Sequence, residues 1–347
     1  MNYTILERYT ISSKQLHSLF NAHELIPIQI LPYRTTDKVT DLLIEAICSI
    51  KPTDSIKETD FFNQLNSINE VDSSQNKLIF RISNQPLVEA DKLTLVEEVS
   101  LSTKLCFVGE LTLSDLTQLY YVCFNYIEGE ALFDVIPALT DSEASHLGQE
   151  LAKFIVELHQ RKAETYDVGH YIPFLSKFQG SWRSGHEAYL EIIISALNNM
   201  HLDTEESKLI QKSIDQIREK LPALDYQSGP VLLHNDLHPK NIILNRGAIS
   251  GVIDWECAQY GESDFELLHM IHWMLFDLND FTQFKTLVQS LLITYQKLNP
   301  IPLLENRLTI YLLEHELIQL TWHPEQKKER FKRIDTLLKF SLCLTPK

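Results

Sequence analysis

Cysteine is sparse and unpatterned: five residues, Cys48, Cys106, Cys123, Cys257 and Cys343, in 347, with no Cys-x-x-Cys among them. An odd count at long spacings argues against a disulfide framework or a cysteine zinc site, and free thiols in a reducing compartment are expected. Basic residues are also in deficit, with 31 Lys and Arg against 47 Asp and Glu, a net charge of −16. Such a chain is a poor general binder of nucleic acid, because neutralising phosphates needs a Lys/Arg surplus. A cationic or metal-bridged ligand suits it better. No stretch reaches the roughly 18 uninterrupted apolar residues of a membrane span. The opening residues Met1 to Glu7 lack the basic segment and apolar run of a secretory leader. A cytoplasmic location is therefore expected, with leaderless export as the alternative. Repeats, low-complexity tracts and long linkers are missing too. With 44% hydrophobic and 22% charged residues, the composition excludes a disordered chain, a collagen and a disulfide-stapled peptide, and the length suits two domains.

What is present falls into a β-rich first part and a helical second part. Asp37 to Ile50 carries Val39, Leu42, Leu43, Ala46 and Ile50 at helical spacing. Asn66–Val71 and Lys77–Ser83 read as strands around a polar loop, and Leu93 to Leu105 as a helix. Cys106–Leu113 and Gln118–Ile127 read as two more strands. Glu128-Gly129-Glu130 breaks the last of them. Asp141 to His159 then carries an apolar stripe of Ala144, Leu147, Leu151, Phe154, Ile155 and Leu158, with Thr140 or Asp141 as N-cap. Tyr189–Met200, Thr204–Leu221 and the stretches 281–298, 305–320 and 327–343 also read as helices. The expected division is an N-terminal lobe over 1–127, in which 1–58 have no clear place, and a C-terminal lobe over 128–347.

One β-rich island, Val231 to Asp254, interrupts the helices. An apolar run, Val231-Leu232-Leu233, leads into His234-Asn235-Asp236-Leu237-His238-Pro239-Lys240-Asn241. Ile242-Ile243-Leu244, a turn at Asn245-Arg246-Gly247 and the run Ile249 to Ile253 follow, ending in Asp254-Trp255-Glu256. Asp236 and Asn241 are five apart, and Asp254 comes thirteen later, after one hairpin. A hairpin returns its far ends to one place, so the three side chains can meet. Two carboxylates and a carboxamide supply the hard oxygens that Mg²⁺ prefers, and one carboxylate can be left to accept a proton. That is the layout of phosphoryl transfer. The plain alternative is a set of turn-forming Asp and Asn residues.

The run His234 to Asn241, with Ile253-Asp254-Trp255-Glu256, resembles the aminoglycoside phosphotransferase and choline kinase superfamily, protein-kinase-like enzymes that phosphorylate small molecules. The resemblance covers most of the chain beyond about residue 60. It implies an α+β, protein-kinase-like two-lobe fold, with a small β-rich N-lobe and a larger, mainly helical C-lobe. It implies ATP, or GTP in its place, with Mg²⁺ as cofactors. By the same resemblance Asp236 is the catalytic base, Asn241 and Asp254 are metal ligands, and His234 supports the loop. Arg81, in Leu78-Ile79-Phe80-Arg81-Ile82, takes the place of the phosphate-contacting basic residue. Glu98 (Glu97 as the alternative) would be its helical partner. Asn125, Tyr126 and Ile127 match the segment whose backbone bonds adenine.

There are departures from the family pattern. The Gly-rich loop is replaced by Phe61 to Ser67, where only Asn66 matches. Glu266, with Asp264 nearby, stands where the family has Asp, and Lys240 replaces the usual Gly before Asn241. Beyond the motif, Glu256, Trp273 and Asp277 are candidates for binding a cationic acceptor, against helix-face packing as the plainer explanation. His234 and His238 could instead hold zinc in H-x-D-x-H. The rival functions are a degenerate kinase that binds a nucleotide or a partner, and a protein or lipid kinase effector. Only eleven residues separate Asp254 from Glu266, which leaves little room for a substrate-binding activation segment. The expected partner is a small hydroxylated molecule, without nucleic acid and without a membrane span.

Overall fold

The computed structural model describes residues 25–32, 43–50, 77–83, 89–112, 118–166 and 180–342, in two compact units, Met1–Ile127 and Glu128–Lys347. The first holds a five-stranded antiparallel sheet of β1 (Leu25–Pro32), β2 (Leu43–Ile50), β3 (Lys77–Ser83), β4 (Leu105–Thr112) and β5 (Gln118–Asn125), in the order β1-β2-β3-β5-β4. β-Branched and aromatic residues recur in β3 and β5, as pleated pairing favours, and Arg81 lies opposite Val122 in their register. Two readings of the sequence are corrected here. The segment ending at Ile50 is strand β2, paired on both sides with β1 and β3, and not a helix. Short apolar runs fit either period, and the flanking strands decide. The helix read over Leu93 to Leu105 is α1, Glu89–Leu95, and turns follow it. Lys104 closes those turns by donating its ammonium to the carbonyls of Glu97 and Val99. The proposed strand Asn66–Val71 lies outside the described residues.

The second unit is mainly helical. It holds β6 (Glu130–Ala131), α2 (Leu132–Val135), α3 (Asp141–Leu158), α4 (Trp182–Leu197) and α5 (Thr204–Lys220), then the short strands β7 (Val231–Leu233), β8 (Ile242–Asn245), β9 (Ala248–Val252) and β10 (Gln259–Gly261). Helices α6 (Leu268–His272), α7 (Thr282–Leu298), α8 (Leu304–Trp322) and α9 (Lys327–Leu337) complete it. Thr140 caps α3 in a reciprocal box with Glu143. The apolar stripe read from the sequence is the buried face of α3. No helix among the described residues is long and apolar enough to cross a membrane, and Cys106, Cys123 and Cys257 are free thiols.

Helix α8 is buried nearly all round, charged residues included, so its polar groups must find partners inside the protein. Arg307 forks onto Asp264 at 2.6 and 2.7 Å and donates to the carbonyls of Ala223 and Tyr226. Glu314 meets His186 at 2.6 Å, and Glu316 meets His272 at 2.6 Å. Both Asp264 and His272 belong to the stretch that runs from Ser263 through α6. These bonds lock that stretch onto α8, which matters for the site.

Gly148 permits the close pairing of α3 with α7: a Cβ there would stand 2.2 Å from the Leu287 carbonyl oxygen. Replacing a helical Gly by Ala normally gains about 1 kcal/mol, but backbone overlap of this kind typically costs about 1–3 kcal/mol. Gly148→Ala is therefore expected to lower stability, and urea denaturation would show a reduced midpoint with an unchanged slope.

Candidate active site

Strand β7 does not continue into the β8–β9 hairpin; it pairs antiparallel with β10. The loop from His234 to Pro239 is thus released from the sheet and must satisfy its own backbone groups. Side chains satisfy several of them. Glu266, fully buried, accepts the amides of His234 (2.7 Å) and Asn235 (3.1 Å), where Asn235 turns through the left-handed region at φ 65°. His234 donates from Nε2 to the Ile253 carbonyl at 2.8 Å and accepts the Asp236 amide on Nδ1 at 3.2 Å. Its ring rests on Trp255 at 4.5 Å. Burial holds its pKa down to about 4, so it is neutral at pH 7, the form with one donor and one acceptor nitrogen that these two bonds require. The Ile253 amide in turn donates to the Asn241 carbonyl at 2.9 Å. Asp254 follows immediately, also left-handed at φ 66°, so Asp236, Asn241 and Asp254 are brought to one loop cluster.

The Asn241 amide nitrogen donates to the Asp236 carbonyl at 2.9 Å and approaches its carboxylate Oδ2 at 3.4 Å. That leaves the carboxamide oxygen as the group able to face an ion. This oxygen and the Asp254 carboxylate are hard donors of the type that fits Mg²⁺. The Asp236 carboxyl is pushed up to about 7, first by burial and then by the negative charges of Asp254 and Glu256. Two imidazoles flank it: His238 Nε2 at 3.6 Å from Oδ2 and His269 Nδ1 at 3.7 Å from Oδ1. Burial depresses both, to about 4 and about 3 respectively, so neither supplies a positive charge at neutral pH. Glu266 is likewise raised by burial, to about 7.

Other candidates are placed differently. His234 is fully committed to the loop backbone, which removes it as a zinc ligand. His238 stacks on Trp273 at 5.0 Å, and the Lys240 ammonium stands over Phe133 at 4.8 Å and Trp273 at 5.4 Å. The aromatic wall beside Asp236 thus already carries a cation. Glu256 is exposed and close enough to act on Asp236. Asp277 reaches His272 at 3.5 Å and Arg333 at 3.4 Å. The π-helical turn Trp273–Asp277 brings residues five apart onto one line, which explains the His272–Asp277 pair. In the first unit Arg81 is buried with its guanidinium over Phe124 at 5.6 Å. Glu98 lies exposed in the turn after α1. The Asn125 side chain accepts the Lys104 amide, and Tyr126 and Ile127 follow the end of β5 half-buried. Asn66 lies outside the described residues. His269 was missed; the signal for it is Glu266-x-x-His269, a spacing that puts both side chains on one helical face.

A family profile described as the phosphotransferase enzyme family matches residues 95–301. No curated protein sequence matches the chain at significance. Among solved structures, a thermostable mutant of the aminoglycoside phosphotransferase APH(4)-Ia, in ternary complex with AMP-PNP and hygromycin B, is 15% identical. It has a TM-score of 0.62, over 93% of this chain and 97% of that one. The streptomycin-ATP-APH(2'')-IIa ternary complex is 17% identical with a TM-score of 0.56, over 96% and 97%. These likenesses establish the shared fold, a small antiparallel sheet region with a larger helical part.

The loop's dependence on His234 is testable. His234→Phe keeps a ring against Trp255 but strands the Ile253 carbonyl and the Asp236 amide. At about 1–3 kcal/mol for each unsatisfied buried group, a loss of a few kcal/mol is expected in chemical denaturation.

Proposed function

The chain belongs to the phosphotransferase enzyme family, and from that premise we propose that it moves the γ-phosphoryl group of ATP to a hydroxyl of a small molecule. The observation that carries this reading is the Asp236 carboxylate, raised to about 7 beside Asp254, with Asn241 bonded to its own backbone carbonyl. A base poised near neutrality is suited to taking a hydroxyl proton. As the acceptor oxygen bonds to the γ-phosphorus, its proton passes to an Asp236 oxygen and the bond to the β,γ-bridging oxygen breaks, leaving ADP. Asn241 and Asp254 would hold Mg²⁺, which when bound neutralises charge on the phosphate oxygens. For the first unit, the same reading assigns Arg81 to the phosphates and the backbone of Asn125 to Ile127 to the purine, adenine or guanine.

The acceptor class is supported from two sides. The structural neighbours are complexes with hygromycin B and streptomycin, both aminoglycosides. This chain carries a net charge of −16 and an exposed acid, Glu256, close to Asp236. An aminoglycoside-, choline- or metabolite-type hydroxylated amine fits that balance.

ATP consumption across a panel of aminoglycosides, other hydroxylated amines and sugars tests the reading. Asp236→Asn is expected to cut transfer by roughly 10²–10⁴-fold while a thermal-shift response to MgATP persists; full activity in that variant defeats the assignment.

The pH profile gives an independent check. A base works only when unprotonated, so kcat/KM is expected to fall as pH drops through about 7. A cation at Asp254 favours the Asp236 carboxylate, so raising Mg²⁺ should move that midpoint to lower pH. A flat profile between pH 5 and 8 would count against Asp236 as the base.

A further inference from the structure

The stretch from Ser263 through α6 presents two side chains, three residues apart, to the same loop. Glu266 takes the backbone amides of His234 and Asn235. One turn on, His269 places Nδ1 3.7 Å from the Asp236 Oδ1 and hydrogen-bonds the Asn235 backbone. The other carboxylate oxygen, Oδ2, faces Asn241 at 3.4 Å and His238 at 3.6 Å. The neighbours of Oδ2 therefore come from the loop itself, and the one on Oδ1 comes from outside it. His269 sits on a rigid support. Asp264, five residues before it, is locked to Arg307, and His272, three residues after it, is locked to Glu316. Its ring packs edge-on against His315 of α8 at 5.8 Å. Contacts to catalytic groups are often long without substrate and tighten in the reacting complex.

We propose that His269 is a positioning residue for Asp236: from α6, tied to the Asn235 backbone, it flanks the carboxylate at Oδ1 and limits the angle at which the base meets the acceptor hydroxyl. The inference rests on the reading of Asp236 as the base. It adds a residue outside the His234 to Asn241 motif, on a separate element. Its role is geometric: the neutral ring orients the carboxylate and takes no proton in the transfer.

The relevant atom is Nδ1, and that distinguishes two substitutions of similar polarity. The amide nitrogen of Asn lies where Nδ1 of a histidine lies, whereas that of Gln lies nearer Nε2. Turnover of MgATP by the full chain is measured with and without hygromycin B, for wild type, Asp236→Asn, His269→Asn and His269→Gln, with melting temperatures alongside. His269→Gln is expected to lose about 10–100-fold in kcat, as for a misaligned reacting group, with the KM for MgATP within about twofold. His269→Asn is expected to stay within about threefold of wild type in kcat. Equal kcat for wild type and His269→Gln would overturn the proposal. So would equal losses in both His269 variants, or a KM that rises with the fall in kcat. If wild type and Asp236→Asn turn over MgATP alike, the reading of Asp236 as the base fails first, and the role of His269 with it.

Discussion

The amide and carbonyl of Ile253 are both engaged by the segment that carries Asp236: the amide donates to the Asn241 carbonyl and the carbonyl accepts from His234. Because Asp254 is the next residue, these two bonds set where its carboxylate lies relative to Asp236 and Asn241. Neither bond is a ladder bond of the β8–β9 hairpin. They extend the hairpin's order past its end, where the chain at Asp254 turns left-handed, a conformation that short polar residues tolerate better than others. Removing the tie would leave Asp236, Asn241 and Asp254 intact and their common geometry unspecified.

The electrostatics of the cluster are unfavourable without a ligand. Asp236, Asp254 and Glu256 repel one another, and the nearby imidazoles are held neutral by burial, so they offer hydrogen-bonding capacity without charge. Negative charges that act on one another in this way are what a divalent cation would moderate. The cation that the protein does supply there, Lys240, leans onto Phe133 and Trp273. In the surrounding framework Arg307 is paired with Asp264, and Glu316 with Arg330 and His272. Breaking one partner of such a pair is costly, which makes the 263–272 segment a stiff mount.

Legibility in the sequence followed contact distance along the chain. The motif from His234 to Asp254 was readable because its members meet through one hairpin, and hairpin geometry is local. Helices α3, α5 and α7 were readable because a buried stripe repeats at helical period over several turns. Strand β2 and helix α1 were misread because short segments match more than one period, and their fate depends on neighbours far away in sequence. Trp273 and Asp277 were singled out as a pair on one helix, but the π-helical turn separates their environments, one against His238 and the other against His272.

The sequence by itself determined the identity and spacing of the candidate reacting groups, and with them the order of elements around the hairpin, because these are set by residue type and near neighbours. Only the tertiary structure decided what surrounds Asp236. Glu266 meets the loop from 31 and 32 residues away, His269 arrives from a separate helix, and the pairing of β7 with β10 frees the loop that both of them hold. Those contacts exist because buried polar groups must be satisfied wherever the packed elements bring them, and that packing is a property of the whole unit.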